Sequence, residues 1–113
     1  GQVDFYMAIK KLYYEFMDFA TGFQRLIIEL NFQDFSFKEG KKNQDDFIIR
    51  LIKKLSDNIE QNYVEQGLVT FNNKLNSKEL SEFIVSNFII MSHMDEYTYV
   101  VLEKILSSIV ILK

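Results

Sequence analysis

At 113 residues the chain has room for one domain with a core of its own and not for two. It has no cysteine, which excludes disulfides and thiolate metal sites, and with no proline and four glycines it is a poor candidate for an all-β domain and its many tight turns. The 13 basic and 16 acidic residues give a net charge of −3, and the one local basic cluster, Lys38 with Lys41 and Lys42 around Gly40, reads as a solvated loop rather than a nucleic-acid face.

The first element is expected over residues 3–30. Phe5, Ile9, Leu12, Phe16, Phe19, Phe23, Leu26 and Leu30 recur at alternating spacings of four and three, which only an α-helix places on one face. Tyr6, Tyr13, Ala20 and Ile27 widen that stripe to the width of a helix buried in a bundle. Gly22 costs about 1 kcal/mol relative to alanine in a helix interior and marks a bend, a close backbone approach or simply a tolerated helical glycine.

Residues 31–44 lose the period and carry the turn residues Asp34, Ser36, Gly40 and Asn43. They also carry Phe32, Phe35 and Phe37, so they are expected to fold back over the core as an aromatic flap, either a loop or a short helical turn. A second helix is expected over residues 45–66, with Phe47, Ile48, Leu51, Ile52, Leu55, Ile59 and Tyr63 as its stripe and Gly67 just past its end. Residues 68–71 cross in extended form to the next element, and Asn72-Asn73 reads as a turn.

Asn76 followed by Glu79 is the signature of a capping box and opens a third helix over residues 77–92. The fourth helix is expected over residues 96–112. Thr98 to Val101 and Ile109 to Ile111 are β-prone, but length and the spacing of Leu102, Ile105, Leu106 and Ile109 favour helix. The predicted class is therefore all-α, a single bundle of four major helices spanning residues 1–113.

Between Tyr97 and Leu112, eleven of sixteen residues are apolar, and the third helix is similarly wrapped in Ile, Val, Phe and Met. A helix apolar on most sides is expected to be buried on most sides. One solution is a homodimer in which the last two helices of each chain form an intersubunit four-helix bundle, with Ile84, Tyr97, Val101, Leu102, Ile105, Leu106 and Ile109 at the interface. The other is that a further domain, or the aromatic flap, covers this surface.

Reaction chemistry is hard to find. His93 is the single histidine, no phosphate-binding glycine loop occurs, and Asp45-Asp46 stands where a helix start explains it. No enzyme activity, metal or cofactor is expected. Apolar runs are broken within about ten residues, too short to span a bilayer, and Asp4, Lys10 and Lys11 interrupt any secretion signal, so a cytoplasmic protein without membrane partners is expected. The aromatics admit two readings. Tyr13, Phe16, Phe19 and Phe23, with Asn87, Phe88 and Met91, could line a pocket for an apolar or aromatic small molecule, or the rings could simply be core while Asn87 bonds a backbone carbonyl.

The order of elements resembles the C-terminal regulatory domain of tetracycline-repressor-like (TetR family) transcription factors. The resemblance lies in the aromatic opening Leu12-Tyr13-Tyr14-Glu15-Phe16, in the helix closing through Val64-Glu65-Gln66-Gly67-Leu68, and in Glu79-Leu80-Ser81-Glu82-Phe83 opening an apolar helix. Phe47 to Met91 carries the nearest local match. The resemblance implies a bacterial transcription regulator whose last two helices dimerise and whose helical domain takes an effector. DNA would be bound only through an N-terminal domain that these 113 residues lack. The competing expectation is a helical protein-interaction or structural domain with a packed core and no ligand.

Overall fold

The computed structural model describes residues 3–29, 37–93 and 98–113. Among them, four helices carry most of the chain: α1 (Val3–Glu29), α2 (Phe37–Ile59), α3 (Ser77–Met91) and α4 (Tyr99–Ile109). Two short strands, β1 (Val69–Phe71) and β2 (Val110–Leu112), pair antiparallel with Val69 opposite Leu112, Thr70 opposite Ile111 and Phe71 opposite Val110. The protein is thus mostly helical, and the small sheet corrects the all-α expectation in its strict form.

α1 follows its stripe as far as Phe16; Phe19 is 39% exposed, and the side chains of Phe23, Leu26, Ile27 and Leu30 lie outside the described residues. Phe5, Ile9 and Phe16 are buried, while Lys10, Lys11, Glu15 and Asp18 are exposed. Burying one such large apolar side chain is worth about 1.5–3 kcal/mol, so the stripe decides which side of the helix faces inward. α2 begins at Phe37 rather than near residue 45, so residues 37–44 are helix and not flap. This stretch is rich in Lys, Glu and Gln, good helix formers that carry no apolar period, and a search for periodicity passes over it. Phe32 and Phe35 lie outside the described residues.

α2 widens at its end into a π-helical turn over Glu60–Val64, and then stops at the expected glycine. Gly67 has a φ of 71°, its N–H donates to the Val64 carbonyl (3.0 Å), and the Leu68 N–H donates to the Tyr63 carbonyl (2.9 Å). That pair of bonds is a Schellman cap, which needs a residue at ease in the left-handed region. α3 starts at the expected capping box. The Glu79 N–H donates to Asn76 Oδ1 (2.8 Å) and the Asn76 N–H to Glu79 Oε1 (3.1 Å). α3 is the hub of the fold: it packs most extensively on α2 and also meets α1, and Leu80, Ile84, Val85 and Phe88 are fully enclosed.

α4 is shorter than expected, and residues 110–112 are a strand. The reason is local competition at the helix end. Ser107 and Ser108 turn their hydroxyls back onto the carbonyls of Lys104 and Ile105 (2.7 Å each), and the Asn72 side-chain amide donates to the Ser108 carbonyl (2.8 Å). With that carbonyl satisfied from β1's end, the β-branched Val110 and Ile111 extend instead and pair with β1. The Lys113 N–H donates to the Leu68 carbonyl (2.9 Å) and fastens the end of the ladder. One core joins all of this: α1 contributes Phe5, Ile9 and Phe16, α2 Leu55 and Ile59, α4 Tyr99, Leu102 and Leu106, and the sheet Val69 and Val110.

Candidate interaction surface

The aromatic residues singled out from the sequence converge, but on one another. Phe88 of α3 meets Tyr13 and Phe16 of α1, each with ring centroids 5.7 Å apart. Tyr13 also stacks on Tyr99 of α4 at 5.1 Å, and Phe19 stacks on Phe47 of α2 at 4.1 Å. Rings at these separations are in direct contact and occupy the space a ligand would need. Met91 is buried in the same core. Asn87 is half-buried, and its Nδ2 donates to the Phe83 carbonyl one turn back at 2.8 Å. The side chain of Phe23 lies outside the described residues. Sequence periodicity missed Tyr99 and Phe47 as partners, because the pairing of rings between helices leaves no mark in either helix alone.

The Tyr99 hydroxyl donates to the Tyr6 carbonyl at 3.3 Å, tying α4 to α1. Burial, reinforced by the Glu103 carboxylate, pushes the phenols of Tyr99 and Tyr6 above their ordinary range. Both phenols therefore stay neutral at ordinary pH, and the Tyr99 hydroxyl keeps the proton it donates.

Two of the grooves among the described residues lie elsewhere and include none of the expected pocket residues. One, of about 340 Å³, runs between α1 and α2. Its floor (Phe5, Ile9, Leu55, Ile59) is already shielded from water by the chain itself, so an occupant would cover little new apolar surface there. The other, of about 500 Å³, lies between α2 and α3, with Ile49 among Lys53, Asp57, Lys78 and Glu82. Lys78 and Glu82 pair across one helical turn at 4.0 Å, both well exposed. The second groove also includes Ser56, and the first holds no serine, threonine or cysteine. No cluster of three or more His, Asp or Glu able to hold a metal occurs among the described residues. None of the described helices is long and apolar enough to cross a membrane.

The expected dimer residues divide into two sets. Ile84, Leu102 and Leu106 are fully buried within the chain, so they are not surface that a partner could reach, and this corrects their assignment to an interface. Ile84 is buried on α3, and the burial of Leu102 and Leu106 follows from α4's inward row, where Tyr99, Leu102, Leu106 and Ile109 recur at helical spacing and close over α1 and the sheet. Ile109 is half-buried at the edge of that row, and Tyr97 lies outside the described residues. Val101 and Ile105 form a flank one turn apart that remains 39% and 38% exposed, beside Val100 at 58%. Ile111, just beyond on β2, is 45% exposed. The other large exposed apolar residues, Met7, Tyr14, Phe19, Ile49 and Ile90, are spread over α1, α2 and α3. Among the described residues, the α4–β2 segment has the densest run of them. No protein-family model, no curated protein and no solved structure matches this chain.

Proposed function

We propose that the chain is a non-enzymatic helical interaction domain that associates with a second copy of itself through the outward side of α4. One observation carries this reading: α4 satisfies the core with one row of apolar side chains and still presents Val100, Val101 and Ile105 to solvent. A helix that only closed a core would carry polar residues at those positions.

The resemblance to TetR-like regulatory domains gives a narrower form of the proposal, in which the paired domains set the spacing of DNA-binding heads carried elsewhere in a regulator. The mostly helical architecture and the resemblance of the run Phe47 to Met91 are in keeping with it. Two features depart from it. α4 gives way to a strand where the family has a long final helix, and α3 turns Leu80, Ile84, Val85 and Phe88 into the core of its own chain, with Ile90 the large apolar residue it exposes. The mutual packing of Tyr13, Phe16, Phe88 and Tyr99 favours a solid core over an effector cavity at that cluster.

The test is the double variant Val101→Asp with Ile105→Asp, run beside the wild type on a sizing column with light-scattering detection. Wild type is expected at twice the chain mass at micromolar concentration, and the variant at the mass of one chain with its helical circular dichroism intact. Equal masses for the two proteins would refute the role of this flank.

A further inference from the structure

We propose that the second copy docks strand to strand: β2 pairs antiparallel with β2 of the partner across a two-fold axis at Ile111, making a four-stranded sheet from two chains. This rests on the self-association proposed above and specifies its geometry.

The register of the existing ladder identifies the free backbone groups. In an antiparallel pair, opposed residues alternate between those that exchange hydrogen bonds and those that do not. The Lys113 to Leu68 bond makes that pair a bonded one. Counting along the register, Thr70 and Ile111 are the next bonded pair, while Val69 with Leu112 and Phe71 with Val110 are non-bonded. The N–H and C=O of Val110 and Leu112 therefore point away from β1. The Val110 N–H is taken by the Leu106 carbonyl at the helix end. That leaves the Val110 carbonyl and both backbone groups of Leu112 along the outer edge of β2. The described sheet has only two strands, so no third strand takes them up.

The edge lacks the features that usually protect one. Val110, Ile111 and Leu112 include no proline and no charge, and the register contains no bulge. A two-stranded sheet is marginal in water and gains by extension. The side chains alternate cleanly: Val69 and Val110 are buried and Phe71 and Leu112 half-buried on the core face, while Thr70 and Ile111 lie on the other, with Ile111 substantially exposed.

A second copy of β2 fits this edge better than an unrelated strand. The outward groups sit on Val110 and Leu112, so the register that overlaps the two strands fully sets Val110 opposite Leu112 of the second copy. Each Leu112 N–H then donates to the Val110 carbonyl of the other chain. Ile111 faces its own equivalent as a non-bonded pair, the arrangement with Cα atoms about 4.5 Å apart and side chains closest. The most exposed side chain of the sheet is thereby covered by its twin, and the two-fold contact closes instead of propagating. β2 also continues directly from α4, so the exposed α4 flank and this edge belong to one C-terminal segment.

The chain has no cysteine, so Ile111→Cys introduces a single thiol. Opposed Cα atoms about 4.5 Å apart lie within disulfide range. Under mild oxidation the variant is expected to run at twice the chain mass on a non-reducing gel and to return to one chain on reduction. Ile49→Cys, exposed on α2, should stay unlinked under the same conditions. An Ile111→Cys variant no more readily linked than Ile49→Cys would overturn the strand pairing. If the wild type is nonetheless dimeric in solution, only this inference fails; if the wild type is a single chain, the self-association fails with it. Hydrogen exchange on the unaltered protein gives an independent reading: the Leu112 amide should slow as concentration rises, and an amide equally fast at all concentrations would contradict the pairing.

Discussion

Phe88→Ala tests whether the aromatic cluster is solid core. Phe88 is fully enclosed, and its ring touches Tyr13 and Phe16 at 5.7 Å in each case. Truncating a buried phenylalanine to alanine costs about 3–5 kcal/mol, combining lost transfer energy with the cavity left behind. Each aromatic pair adds about 0.5–1.5 kcal/mol beyond area alone, and Phe88 loses two of them, which places the variant near 5 kcal/mol, the upper end of that range. Since a domain is typically stable by about 5–15 kcal/mol, this change alone removes a third or more of the total. Urea unfolding followed by far-ultraviolet circular dichroism should show a large drop in midpoint with an unchanged slope. Met7→Ala, on the exposed side of α1, should stay within about 0.5 kcal/mol of wild type. A loss below about 2 kcal/mol for Phe88→Ala, far short of core truncations generally, would show that the ring lines open space. Stabilisation of the wild type by a small aromatic compound would strengthen that contrary result.

Asn76→Ala removes the side-chain half of the box that starts α3, the acceptor for the Glu79 N–H, and should cost about 1 kcal/mol in the same assay; no change would mean the cap is not formed in solution. Tyr99→Phe addresses alkaline behaviour. The folded chain holds the Tyr99 phenol above its ordinary value of 10.0, so the unfolded chain loses its proton first as pH rises. The stability from keeping Tyr99 neutral is therefore complete below about pH 10 and declines above it. Wild-type melting temperature should fall steeply from that pH upward and Tyr99→Phe less steeply; parallel curves would show that Tyr99 is not the group responsible.

The features legible in the sequence are those whose causes are local. The α1 stripe, the Asn76 and Glu79 box and the stop at Gly67 each depend on residues within a turn or two of one another, and each lies where its pattern points. The early start of α2 was hidden because residues 37–44 have no apolar period to display. The fate of residues 110–112 was hidden for another reason. Spacing and length favour helix through Ile109 to Leu112 although its residues are β-prone, and the deciding bonds, from Asn72 to the Ser108 carbonyl and from Lys113 to Leu68, join positions far apart in the chain. The expected interface shows the same limit. Periodicity finds the apolar positions of α3 and α4, but does not tell a residue buried in its own chain, such as Leu102 or Leu106, from one offered to another, such as Ile105.

Sedimentation equilibrium of the wild-type chain over a range of concentrations tests the role of α4's outward side most directly. The predicted result is a mass that falls on dilution from twice that of the chain to that of one, described by a single monomer–dimer constant. A fit to one chain at every concentration, through the high micromolar range, would contradict it.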